Sequence, residues 1–197
     1  MKKYLVGKRI SLHGLSEEHF HDYEGGYYDW MDDLSLDLFT TRSYFPNNPA
    51  RMEAYYQHAC TNTNLILLGI FDNESGKHIG NITFQEIDWI NQTAVIAYML
   101  GDKHFTGKGI IPEACLMMMY YGFNKLNFER ISAGVVADHK ASKRVCEKVG
   151  LDIEGTQRKH FKRNGKRYDS HIVGALRDEW MMIYGKETRE LFQELPI

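Results

Sequence analysis

The stretch from Val95 to Leu126 leaves the folding chain few choices. Val95-Ile-Ala-Tyr-Met-Leu100 is a continuous apolar run with the length of a buried strand. Ala114 to Leu126 reads as a helix. Between them lies His104-Phe-Thr-Gly-Lys-Gly-Ile-Ile-Pro-Glu113, with two glycines around one lysine. Gly reaches backbone angles closed to other residues and lets a ligand approach the main chain. Pro112 suits a first helical turn, where its missing N–H has no intrahelical bond to lose and its φ is already helical. Strand, Gly-rich turn and helix start together aim free N–H groups and a positive dipole end outward. The arrangement predicts a loop that holds a pyrophosphate.

The 197 residues suit one domain with a real core, expected over 1–197 with its body at about 8–180. A net charge of −2 offers no basic field for nucleic acid. No apolar run reaches membrane-spanning length, and Met1 to Gly7 lacks the apolar core of a signal peptide. Cys60, Cys115 and Cys146 are odd in number and widely spaced, so neither a disulfide framework nor a metal knuckle is expected. A cytoplasmic setting follows as the simplest expectation. The nine histidines are scattered without metal-site spacing, so no metal is expected.

Periodicity gives the other elements. Lys8 to His13 alternates as a first strand, and Ser16 before Glu17 and Glu18 reads as a helix cap. Tyr27 to Phe39 is aromatic and interrupted by aspartates. Asn48-Pro49 reads as a second cap and first helical residue, with Met52, Tyr55, Tyr56 and Ala59 on one face. Leu65–Phe71, Lys77–Ile87 and Thr93–Leu100 read as three successive strands with short links. Arg130–Ala137 is a further strand, and Lys140–Val149 a helix ending at Gly150. Asn164-Gly165 marks a hairpin between Ile153–Lys162 and Lys166–Leu176. A final helix is expected over 178–195, interrupted by Gly185. The fold class is α/β (α+β), with a mixed, mostly antiparallel twisted sheet of about seven strands and helices on both faces.

Joined to Asp138-His-Lys-Ala-Ser142-Lys-Arg-Val-Cys-Glu147-Lys148-Val-Gly150-Leu151, the Gly loop resembles the two cofactor motifs of the GNAT superfamily of acetyl-CoA-dependent N-acetyltransferases. The resemblance runs from about Lys8 to Trp180. It is closest to the branch of ribosomal-protein N-terminal, spermidine and bacterial amino-sugar acetyltransferases. The family's Gln/Arg-x-x-Gly-x-Gly/Ala pattern falls on Thr106, Gly107, Lys108, Gly109, Ile110 and Ile111, with Thr106 and Ile111 departing from it. The resemblance implies acetyl-CoA as co-substrate, with His139, Ser142 and Lys143 on its pantetheine and phosphate side. Arg144 is implied beside them. It further implies a splayed pair of strands, with Met99 or Leu100 N–H polarising the acetyl carbonyl.

The same resemblance places Cys146 where relatives carry a Tyr acid, with Ser142 a second candidate through water. Its usual base position falls on Val95. Glu86 and Asp88, at the end of the preceding strand, are alternative bases, and His104 lies beside the loop. An α-amino group, with a pKa near ~7.7–8.0, needs little help from a base. The acceptor surface implied by the family includes Trp30, Arg42, Tyr44, Glu86 and His160. Aromatic, amide and basic groups there suit the amine of a nucleotide-linked amino sugar in surface-polysaccharide synthesis. A protein N-terminus or a polyamine is the alternative acceptor, and a CoA-binding module without catalysis the second. A homodimer is compatible with all three.

Overall fold

The computed structural model describes residues 3–33, 35–36 and 45–192. Arg42 and Tyr44 lie outside the described residues. Eight strands form one sheet: β1 (Leu5–Val6), β2 (Ile10–His13), β3 (Ile66–Asp72), β4 (His78–Asp88), β5 (Thr93–Leu100), β6 (Arg130–Val136), β7 (Asp152–Arg163) and β8 (Lys166–Leu176). Their order is β1-β2-β3-β4-β5-β6-β8-β7. Among the described residues, only the β5–β6 pair is parallel. The strand beyond the seven expected is β1, whose two residues are too few to show a period.

Strand alternation sorts the side chains into two layers. On one face Ile70, Ile82, Phe84 and Ile96 pack with Ala114, Met117 and Met118 of helix α4 (Ile110–Asn124). On the other, Met99 joins Phe20, Tyr27, Trp30 and Met52. Those four come from α1 (Glu17–Phe20), α2 (Tyr27–Asp32) and α3 (Pro49–Thr61). Asn48 caps α3, its Oδ1 accepting from Arg51 N at 2.9 Å, with Pro49 as first residue. Helix α4 begins four residues earlier than the sequence suggests, so Pro112 is its third residue and still lies in the first turn.

Helix α5 (Lys140–Val149) ends on Gly150 at φ 73°, as read from sequence. Asn164 and Gly165 both have positive φ, 47° and 77°, which a tight hairpin turn of this hand requires. The final helix is not continuous. It divides into α6 (Arg177–Trp180), a π turn (Met181–Gly185) and α7 (Lys186–Arg189). Trp180 anchors it by donating from Nε1 to Val149 O at 2.7 Å.

Two measurements probe this packing. A Cβ on Gly101 would fall 1.9 Å from the Trp30 ring, so α2 sits against bare backbone at the end of β5. Gly101→Ala should lower the urea-unfolding free energy by about 1–3 kcal/mol, the usual cost of overpacking. His78 donates from Nε2 to Gly80 O at 2.9 Å and Asn81 Oδ1 at 2.8 Å, and packs on Phe71. Burial pushes its pKa down to about 4. The unfolded chain takes up that proton near pH 6.5, so stability is full above pH 6.5 and falls as pH drops toward 4, by up to roughly 3 kcal/mol. In His78→Gln the slope of stability against pH between those limits should flatten.

Candidate active site

The site begins where the sheet comes apart. β5 and β6 pair at Thr93–Arg130, Ala94–Ile131 and Val95–Ser132, and no further. Beyond that point β5 stays with β4, through Tyr98–Ile82 to Leu100–Gly80, while β6 stays with β8. The two strands therefore part after Val95 and Ser132. Gly101 N donates to Ile79 O at 2.9 Å, toward β4. Two-residue alternation then turns the amides of Tyr98 and Leu100 toward the gap, and that of Met99 toward β4. Of the pair Met99 and Leu100, Leu100 has the gap-facing N–H.

A cavity of about 400 Å³ lies over this gap on the α4 side. Its walls are Tyr98 and Leu100 of β5, the loop residues Thr106, Gly107, Gly109, Ile110 and Ile111, and His139, Ser142, Arg144, Val145 and Lys148 of α5 and its approach. Eight of the eleven residues expected at the cofactor thus line one space. Met99 faces the opposite side of the sheet, Lys143 lines a smaller cavity beside Cys146, and Lys108 lies outside the walls. Arg144 and Lys148, four apart on α5, supply the cations of the main cavity.

The loop is built as an anion cradle. Gly107 and Gly109 both stand at φ 76°. Gly109 is the N-cap residue of α4, whose first amides have no intrahelical acceptor. The entry is a 3-10 turn, Lys103–Phe105, fixed by Asp102, which accepts from His104 N and Nδ1 at 2.9 Å and from Lys77 Nζ at 2.8 Å. Burial alone would raise the Asp102 pKa, but Lys77 and the His104 bonds hold it down to about 2. These features fit a pyrophosphate at the helix start and an extended arm along the gap. Ile111 is buried and forms wall, so its bulk does not close the space.

The catalytic candidates separate. Ser142 Oγ lies 2.8 Å from Tyr98 Oη, and both line the cavity. Burial raises the Tyr98 pKa, so its hydroxyl stays protonated across the physiological range. Within the apolar run Val95–Leu100 nothing local distinguishes Tyr98 from its buried-strand neighbours. Cys146 is buried in the core, its thiol pushed up to about 11 by burial, and it lines the smaller cavity. Glu86 is exposed at φ 51°, in the irregular end of β4 beside the closed part of the sheet. Asp88 accepts from Ile90 N and Asn91 N and so shapes the β4–β5 turn. His104 is exposed and bonded to Asp102.

A second cavity, about 80 Å³, lies on the other face of β5. Tyr27, Tyr55, Asn81, Thr83, Gln85, Ala97 and Met99 line it, and Tyr98 belongs to both. Trp30 does not line it. That ring is buried against His78, and its Nε1 donates to Gly25 O at 2.9 Å. His160 is exposed on β7, in the irregular stretch between Gln157 and Phe161, and lines neither cavity. The closest set to a metal site among the described residues is Glu17, His21 and Glu53, on the α1–α3 side.

A split mixed sheet with a Gly-rich loop at the start of a helix is the layout that the sequence resemblance implies for a CoA site. The chain belongs to the acetyltransferase (GNAT) domain family, whose model matches residues 9–152. It is similar to YjcK of Bacillus subtilis (strain 168), which carries the name of an N-acetyltransferase, at 41% identity over 109 residues. That match spans 55% of this chain and 60% of YjcK. YdaF of the same organism carries the name of a ribosomal N-acetyltransferase and is 28% identical over 70% of this chain and 77% of its own. The fold matches a spermidine N-acetyltransferase of Vibrio cholerae, solved with CoA and spermine, with a TM-score of 0.77 at 17% identity over 88% of this chain and 98% of that one. No helix among the described residues is long and apolar enough to cross a membrane.

The cradle has a direct test. Gly109→Ala puts a Cβ at φ 76° and 3.2 Å from Arg9 Nη2. It should weaken CoA binding by about tenfold, since a left-handed non-Gly residue costs about 1–2 kcal/mol. Isothermal calorimetry with CoA reads the change.

Proposed function

We propose that this chain transfers the acetyl group of acetyl-CoA directly to a primary amine. The observation that carries the reading is the parting of β5 from β6 beneath the loop and α5, with cavities on both faces of the same four residues of β5. When bound, acetyl-CoA supplies a thioester carbonyl already activated for attack by an amine. The first amides of α4, with Arg144 and Lys148, would hold its phosphates. The Leu100 N–H would donate to the carbonyl oxygen as negative charge gathers there. Tyr98 Oη, fixed by Ser142, holds a proton beside the place where the sulfur leaves.

The acceptor reading supported best is the α-amino group at the end of a peptide. Among the described residues, the second cavity carries phenols, amides and a hydroxyl but no carboxylate, so a polyamine's charges find no partner in its walls. Asn81 Nδ2 is buried with no partner, a donor suited to a carbonyl oxygen. An α-amine is also partly neutral at pH 7, which agrees with cavities that neither Glu86 nor Asp88 lines. The similarity to YdaF points the same way. The nucleotide amino-sugar reading has less behind it, because Trp30 is core and His160 lines neither cavity.

Release of the CoA thiol, followed with peptides, spermidine and amino-sugar nucleotides in turn, decides between acceptors. The peptide should give the highest kcat/KM, and turnover with spermidine alone would contradict the reading. Tyr98→Phe should lower kcat by about 10–100-fold, within the usual range for a general acid, with the KM for acetyl-CoA little changed.

A further inference from the structure

The phosphate-binding loop is gripped by a residue that belongs to neither cofactor motif. Arg9 stands just before β2, with its main chain fixed at the sheet edge. Its N–H donates to Glu113 Oε1 at 3.0 Å, and its carbonyl accepts from Asn73 N at 2.9 Å. Its Nε donates to Glu113 Oε2 at 2.6 Å. Its two Nη atoms donate to the carbonyls of Lys108 and Gly109, the latter at 3.0 Å. Glu113 is 4% exposed and lies in the first turn of α4. A carboxylate buried there needs partners for both oxygens, and Arg9 supplies both. One guanidinium fork therefore ties the helix start to the loop that leads into it.

Peptide geometry converts this grip into a direction for the loop's donors. In a trans peptide the carbonyl of one residue and the N–H of the next point opposite ways. Drawing the Lys108 and Gly109 carbonyls onto Arg9 turns the Gly109 and Ile110 N–H groups away from it. Both of these residues line the donor cavity. With Asp102 holding the other end, the cradle is set before any anion arrives, and little ordering is left to oppose binding. A lysine cannot reproduce this, because one ammonium cannot span a carboxylate and two carbonyls with the geometry of a planar fork.

We propose that Arg9 is a positioning residue for the acetyl donor: it aims the amides that receive the pyrophosphate without touching the donor itself. This rests on the acetyl-CoA reading above. The test compares two donors, acetyl-CoA and S-acetylpantetheine, which carries the same thioester but no pyrophosphate. Arg9→Lys keeps a cation beside Glu113. It should raise the KM for acetyl-CoA by about tenfold or more, the worth of one or two lost hydrogen bonds, with kcat nearly unchanged. With S-acetylpantetheine its kcat/KM should equal that of the wild type. An equal fall with both donors, or an unchanged KM for acetyl-CoA, would overturn the proposal.

If Arg9→Lys loses its circular-dichroism signature, Arg9→Gln, which keeps two donors on a neutral side chain, is read by the same comparison. Wild-type calorimetry separates this inference from the reading beneath it. Saturable acetyl-CoA binding without transfer to any amine would set aside the transferase, and the Arg9 comparison would then be read from Kd for the same two donors. Absence of acetyl-CoA binding to the wild type would contradict both.

Discussion

The loss of pairing between β5 and β6 is the constraint on which the rest of the structure depends. Backbone groups buried without partners are costly, so a sheet does not open without something to offset the cost. Here the opening comes after only three paired positions, at a parallel junction in a sheet that is otherwise antiparallel among the described residues. Each half keeps its own stabilising neighbour, β4 for one and β8 for the other. The gap therefore costs only the amides and carbonyls along its two lips. An extended ligand carrying its own amides can satisfy them as an added strand would. The pantetheine arm of CoA is such a ligand.

Two separately packed layers hold the lips apart. α4 presses its apolar face on Ile82, Phe84 and Ile96, and the α1–α3 cluster packs on the reverse side around Met99. Alternation along β5 then gives the four residues from Ala97 to Leu100 two audiences. Tyr98 and Leu100 face the larger cavity, and Ala97 and Met99 face the smaller one. The loop entry is also tied to the α1–α3 layer. Lys103 Nζ lies 2.6 Å from Asp33 at the end of α2, and that contact holds the Asp33 carboxyl down to about 2. Charge is concentrated at the ends of the cradle and on the α5 wall, while the floor of the cavity remains apolar.

What could be read from sequence was what local chemistry decides. Gly107, Gly109 and Gly150 each occupy the left-handed region that glycine alone takes easily, and Asn48 caps the helix its residue type announces. Those signals need only a few neighbours along the chain. Arg9 was invisible because its partners lie about a hundred residues away and nothing local marks it. Tyr98 was hidden by its strand, since an apolar run does not say which face each side chain takes. That Lys148 joins Arg144 in the cavity wall while Lys143 does not is a matter of helical phase, which places Ala141, Val145 and Lys148 on one face and Lys143, Cys146 and Glu147 on the next. Glu86 and His160 stand out by residue type alone, and neither lines either of the two cavities along β5.

The claim that an acetyl donor lies between β5 and β6 is tested most directly by following backbone amide resonances during a titration with CoA. The largest shifts should fall on Tyr98, Leu100, Gly107, Gly109, Ile110 and Ile111, the gap lip and the cradle, with little change along the β7–β8 hairpin. Shifts confined to that hairpin or to the α1–α3 layer, or no saturable shift in the loop, would contradict it.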